Sequence, residues 1–140
     1  MEIARVSQVC PEHLGFIRAN GDRHIRQKSF DYYKAGGSEG DILLEYRIDG
    51  ELVGLSFTAC PNGHSKYSIT VVRRDFRNRG IGTALLKAKK ELAAARGCQL
   101  RSLVAQSNTP SVRMCSRVFS TREVQDGKYL FYDGGAPCAE

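Results

Sequence analysis

Apolar and polar positions change period several times along the chain, and each change marks an element. Glu2-Ile3-Ala4-Arg5-Val6 alternates and predicts a first strand. Pro11 opens a helix containing Leu14, Ile17 and Arg18. Asp22 reads as the N-cap of a second helix running to Lys34, with Ile25, Phe30 and Tyr33 as its apolar stripe, and Ala35 to Gly40 is a glycine-rich loop. Two strand-like runs, Ile42–Ile48 and Leu52–Thr58, flank Asp49-Gly50, a hairpin signal. Pro61-Asn62-Gly63 makes another turn before the β-branched run Tyr67–Val72, which suits a central strand. From Thr83 to Arg96 the period becomes helical, with Ile81, Ala84, Leu85, Ala88, Leu92 and Ala95 in step and Gly97 as the stop. Leu100–Ala105 predicts a further strand. Asn108-Thr109-Pro110 begins a short helix over Ser111–Arg117. Phe119–Val124 and Lys128–Tyr132 form a last hairpin about Asp126-Gly127, and Gly134 to Glu140 reads as a loose tail.

The resulting order, β-α-α-β-β-β-α-β-α-β-β, describes a mixed α/β (α+β) sheet with helices packed against it. With 140 residues and neither repeat nor linker, residues 1–140 read as one domain. A content of 41% hydrophobic and 26% charged residues is that of an ordinary globular protein. No apolar run approaches the roughly 20 residues of a membrane span, and the N-terminus lacks a secretion signal, so a cytoplasmic protein with no membrane partner is expected. The five cysteines (Cys10, Cys60, Cys98, Cys115, Cys138) are scattered and form no C-x-x-C, which implies reduced thiols and no metal. His13, His24 and His64 show no ligand spacing.

Much of the net charge of +6 lies in Arg73, Arg74, Arg77, Arg79, Lys87, Lys89 and Lys90. Such a patch suits an anionic ligand. The three lysines read as the solvated face of the helix. At its head, Arg77-Asn78-Arg79-Gly80-Ile81-Gly82 sits where a strand turns into a helix. A helix N-terminus offers unpaired N–H groups and about half a positive charge. Gly80 and Gly82 let an anion approach that backbone, and Arg77 and Arg79 add charge-assisted hydrogen bonds, which together make a pyrophosphate cradle. The plain alternative is a tight strand-to-helix connection with solvated arginines. A P-loop is excluded because G-x-x-x-x-G-K-[ST] is absent, and the third glycine of a dinucleotide fingerprint is missing.

Val72-Arg73-Arg74-Asp75-Phe76-Arg77-Asn78-Arg79-Gly80-Ile81-Gly82-Thr83-Ala84-Leu85-Leu86 resembles the acetyl-CoA signature of the GNAT superfamily of N-acetyltransferases. That pattern is a strand valine, an aromatic-containing link, [QR]-x-x-G-x-[GA] and a leucine-rich helix. The element order agrees with the family over residues 1–133, which implies a mainly antiparallel sheet of about seven strands and about four helices. Asn108 and Ser111 resemble the family's second CoA-contacting segment.

The resemblance implies that backbone groups of Val71, Val72 and Arg73 pair with the pantetheine arm of acetyl-CoA. The backbone of Arg77, Asn78, Arg79, Gly80, Ile81, Gly82 and Thr83 would hold the pyrophosphate, and Asn108 and Ser111 the far end of the arm. Acetyl-CoA would be a cosubstrate for direct attack by an amine, on a small molecule or a protein, in a ternary complex. A lysine-like amine is neutral only about one part in a thousand at pH 7, so a proton acceptor is expected. Glu45 on the second strand is named for it, with Tyr67, Ser68 and Thr70 as water holders. The Val72 N–H would stabilise the oxyanion. Many family members carry a proton-donating tyrosine seven residues after the asparagine; here that residue is Cys115. Cys115 itself, Tyr129, Tyr132 or Tyr67 are the candidates in its stead. The second helix (His24 to Tyr33) and the last hairpin (Arg122 to Tyr129) would shape the acceptor site. A homodimer is common in the family. Two other readings stay open: a catalytically silent acyl-CoA-binding module, and a basic nucleic-acid-binding protein.

Overall fold

A computed structural model describes residues 2–134. The elements are β1 (Glu2–Val6), α1 (Pro11–Asn20), α2 (Gln27–Lys34), β2 (Ile42–Ile48), β3 (Glu51–Ala59), β4 (Lys66–Val72), α3 (Ile81–Ala95), β5 (Ser102–Ala105), α4 (Thr109–Val118), β6 (Thr121–Gln125) and β7 (Lys128–Tyr132), with a 3-10 turn at Arg74–Phe76. Of the loose tail expected from Gly134 to Glu140, all but Gly134 lies outside the described residues.

The expected seven strands and four helices are present, the strands in two antiparallel sheets ordered β1-β2-β3-β4 and β5-β7-β6. Both hairpins follow the turn chemistry. Asp49 and Gly50 have φ of 51° and 81°, and Asp126 and Gly127 have φ of 52° and 75°, the paired positive values of a two-residue β-turn whose twist matches its strands.

The near-continuous apolar run of β2 follows from its being covered on both faces. Leu43 packs with Leu55, Phe57, Ile69 and Val71 against Phe16, Ile17, Phe30 and Tyr33 of α1 and α2. Ile42, Leu44 and Tyr46 point the other way, into the cluster containing Ile81, Leu85, Leu86 and Ala93 of α3 and Cys115 and Val118 of α4. A Cβ on Gly54 would lie 2.9 Å from Leu85, so this glycine lets α3 settle closely on β3.

Three expectations need correction. The second helix begins at Gln27, not Asp22, because the Asp22 carboxylate accepts the N–H of His24 at 2.8 Å and caps a turn instead. β5 begins at Ser102, not Leu100, because the residues before it tie the two sheets together. Gln99 N–H bonds Gly63 O at 2.8 Å, Ser65 N–H bonds Gln99 O at 2.9 Å, and Arg101 N–H bonds Ser65 Oγ at 2.8 Å. Finally, Cys60 and Cys98 are joined in a disulfide, not reduced. Cys60 follows β3 and Cys98 precedes Gln99, so the pairing depends on the fold bringing together residues 38 apart.

Candidate active site

β4 and β5 are joined at their entrances, around the parallel bridge His64↔Gln99, and among the described residues they do not pair with each other along their length. A cleft of about 1260 Å³ opens between them, walled by Tyr67 to Val72 on one side and Arg101 to Ala105 on the other. The heads of α3 and α4 close one end, contributing Gly80 to Thr83 and Asn108 and Ser111.

The orientation of β4 follows from one hydrogen bond. Arg73 N–H donates to Val53 O at 2.8 Å, toward β3. Val72, one residue earlier, therefore turns its N–H and C=O to the opposite edge, where β5 diverges. Its carbonyl is taken by Arg77 Nε at 3.0 Å, and its N–H is aimed at the cleft. Further back, the register jumps between Phe57↔Ile69 and Ala59↔Lys66, a bulge at which Tyr67 has φ of 58°. The Tyr67 ring lines the cleft and stacks on Tyr32 at 4.2 Å, and the Tyr32 hydroxyl donates to Asp41 at 2.9 Å.

At the head of α3, Gly80 is the N-cap, with φ of 82°, and no side chain caps the helix. The first N–H groups of the helix are thus free for a ligand. A Cβ on Gly80 would meet nothing within 4 Å, whereas one on Gly82 would lie 2.9 Å from Met114 Sδ. Gly80 therefore keeps the cradle open, and Gly82 lets α4 pack against α3. The arginine side chains here have partners within the protein. Arg77 braces the turn, with Nη2 bonding Asn20 O at 2.5 Å as well as Nε on Val72 O. Arg79 lies over the Phe76 ring at 4.7 Å, and Arg73 pairs with Asp75 at 2.7 Å and Glu51 at 3.2 Å. Neither Arg73 nor Arg79 lines the cleft.

Matching residues 10–119 to the acetyltransferase (GNAT) family model decides the relationship. The chain belongs to the GNAT acetyltransferase family. It is 28% identical over 127 residues to the mycothiol acetyltransferase of Clavibacter sepedonicus, an alignment covering 90% of this chain and 40% of that protein, so the chain spans two-fifths of that relative's length. Its fold is similar to a GNAT family acetyltransferase from Elizabethkingia anophelis with acetyl-CoA bound, at 15% identity, TM-score 0.68, covering 94% of this chain and 96% of the other. It is also similar to the ribosomal-protein-S18-alanine N-acetyltransferase of Escherichia coli, at 15% identity, TM-score 0.66, covering 97% of each chain.

Against this GNAT frame the candidate catalytic residues separate. Val71, Val72, Arg77, Asn78, Gly80, Ile81, Gly82, Thr83, Asn108, Ser111 and Cys115 all line the cleft. Glu45 does not. Its carboxylate lies under α1, on the far face of the sheet, 2.5 Å from His13 Nε2 and 2.9 Å from Arg47 Nε. His13 Nδ1 accepts the Cys10 N–H at 3.1 Å, so Nε2 carries the proton given to Glu45. The Arg47 guanidinium and then His13 hold the Glu45 carboxyl below its ordinary range. A carboxylate so engaged ties α1 to the sheet. Tyr129 sits on β7 with Arg122 over its ring at 4.4 Å, and Tyr132 donates to Glu123 at 2.6 Å; neither lines the cleft. Of the tyrosines named, Tyr67 does.

Cys115 is buried at 2% exposure. Burial pushes its thiol up to about 11, against the opposing pull of a hydrogen bond with Ser102 and of Lys89. Lys89 is the residue that sequence reading misplaced. It is not solvated but fully buried, at 1% exposure, and lines the cleft. The signal was present in the spacing, because Leu85, Lys89 and Ala93 recur every four residues along the buried face of α3. Lys90 alongside is spent on Val118 O and Asp133, each at 2.6 Å.

Proposed function

We propose that this domain transfers an acetyl group from acetyl-CoA to an amine. The observation that carries the reading is the uncapped α3 N-terminus at Gly80, opening into the cleft where β4 and β5 part. The free N–H groups and partial positive charge of the helix match a pyrophosphate. The unpaired edge of β4 matches the amide-bearing pantetheine arm, and the Val72 N–H suits an oxyanion formed on the thioester carbonyl. The acceptor nitrogen bonds to the carbonyl carbon, and the C–S bond then breaks. Asn108 and Ser111, on the α4 side, would hold the arm. The acceptor is read as a primary amine, with the loop of Arg23, His24 and Arg26 among the residues around its entrance.

Gly80 permits a clean test. Asn and Asp both tolerate the left-handed backbone there, and nothing lies within 4 Å of the added Cβ. Gly80→Asp brings a negative charge onto the cradle, and Gly80→Asn is its neutral isostere. Calorimetry is expected to show acetyl-CoA affinity falling about tenfold or more in the aspartate variant relative to the asparagine variant. Equal affinities would remove the cradle. Mass spectrometry of acetyl-CoA with pooled amines then reads the transfer itself. Cys115 in place of a tyrosine favours a second reading, a silent acyl-CoA-binding module, which predicts binding without any acetylated product.

A further inference from the structure

We infer that Lys89 is the proton donor to the departing CoA sulfur, doing from α3 what Cys115 does not do from α4. The inference rests on the acetyl-CoA reading of the cleft.

Lys89 reaches from the middle of α3 onto the cleft face of the first sheet. Its Nζ donates to Phe57 O at 3.4 Å and Thr70 Oγ1 at 3.3 Å, both long bonds. Among the described residues it forms no ion pair. The elements around it bring hydroxyls rather than charges. β3 and β4 supply Ser56 and Thr70, bonded to each other at 2.7 Å, and Thr58 and Ser68, bonded at 2.8 Å. From β5, Ser102 is engaged with Cys115. The titratable group facing Lys89 is Cys115, whose thiol is held neutral well above physiological pH.

A buried amine with two weak acceptors and no carboxylate is costly to the fold. A methionine of similar length would cost less. Lys89 stands instead at a wall of the cleft that a thioester would enter. Burial lowers its ammonium to about 7, so both protonation states are populated near neutrality. That is the balance an acid needs if it is to give up a proton and be recharged in each turnover. The nearby thiol, at about 11, is poorly matched to the same task.

The step balances without an external acid. The acceptor nitrogen bonds to the acetyl carbon, the C–S bond breaks, and its electron pair goes to sulfur. Lys89 gives sulfur a proton and becomes a neutral amine. The acceptor nitrogen sheds one proton as it becomes an amide, and that proton restores the Lys89 charge.

The test needs no known acceptor. The protein is labelled with ¹³C-lysine, and the ε-methylene resonance that disappears in Lys89→Met is followed against pH. Three states are compared: free, saturated with acetyl-CoA, and saturated with S-carboxymethyl-CoA. Both ligands carry the same phosphates, so their difference isolates the fixed carboxylate charge next to the sulfur. That charge raises the Lys89 midpoint by about one unit or more over its value with acetyl-CoA if the amine stands beside the sulfur. Identical midpoints in the two complexes would overturn the inference and leave Lys89 a structural lysine. Calorimetry on the same samples keeps the two ideas apart. Absence of acetyl-CoA binding by the wild type would sink the functional reading, whereas binding of both ligands with no shift between them sinks only the role of Lys89. Lys89→Met is expected to bind acetyl-CoA within about threefold of the wild type, since the cradle is untouched.

Discussion

The β1–β4 sheet buries charge on both faces, but on different terms. Under α1, Glu45 is enclosed by His13 and Arg47, and Arg47 reaches on to Glu12 at 2.6 Å. Every charge there has an opposite partner within hydrogen-bonding distance. Under α3, Lys89 has two long hydrogen bonds to neutral acceptors. The first cluster has the closed bonding of a structural network, and its residues do not line the cleft between β4 and β5. The second is incompletely bonded and lines it. Partner count separates the two better than burial does, because Glu45 and Lys89 are both nearly inaccessible, at 7% and 1% exposure. A carboxylate on a central strand is the obvious candidate from sequence, but Glu45 is not among the residues that line the cleft.

The largest effect should come from breaking the closed cluster. Glu45→Ala leaves the Arg47 guanidinium and the His13 N–H without their acceptor, and should cost about 3–5 kcal/mol in urea unfolding. Acetyl-CoA affinity should stay close to wild type. The milder Glu45→Gln variant should keep its turnover once folded, and a selective fall in kcat there would return Glu45 to the chemistry. The pH dependence has a definite sign. The Glu45 pKa is lowered on folding, so its stabilisation is present above the unfolded value and is lost as pH falls through the folded one. Glu45→Gln should flatten the acid limb of the stability curve below about pH 4.5.

The open cluster should respond in the opposite direction. Lys89→Met removes an uncompensated buried amine and should stabilise the fold by about 1–4 kcal/mol at pH 7. In the wild type the unfolded chain holds the extra proton between about 7 and 10.5, so stability should climb with pH across that window. The variant should show no such climb. A Lys89→Met protein less stable than wild type at pH 7 would erase the contrast between the clusters. The smallest effect is expected from Thr70→Val, which takes from Lys89 one of its two acceptors and from Ser56 its partner. It should cost about 1 kcal/mol of stability and move the Lys89 midpoint further down, read by the same ε-methylene titration.

What sequence reading reached and missed follows the range of the interactions involved. Asp49-Gly50 and Asp126-Gly127 are local signals, and both hairpins formed about them. The helical period from Ile81 onward, with Gly80 before it and Gly82 in its first turn, located α3 and its head. The His13–Glu45 contact spans 32 positions and the Cys60–Cys98 bond 38, and neither leaves a spacing signature. The parting of β4 from β5 was equally invisible, because strand pairing depends on partners far along the chain. Asp22 failed for the opposite reason. A local rule applied, but its carboxylate capped a turn rather than a helix. Lys89 was legible by position and misread by type, since its place in the Leu85–Ala93 row argued for burial while its charge argued for solvent.

The parted strands carry one more consequence. Beyond the junction around the His64↔Gln99 bridge, no strand pairing joins β4 to β5 among the described residues, so the two sheets amount to a single sheet with a rung removed. A ligand arm that bonds to both inner edges would supply that rung. Binding would then lock the halves together, and the ligand would count among the elements of the native state. Amides on the inner edge of β4, Val72 among them, should exchange freely in the empty protein and slow sharply when acetyl-CoA is bound. The unfolding midpoint should rise with the logarithm of acetyl-CoA concentration, as for any ligand held by the folded form alone.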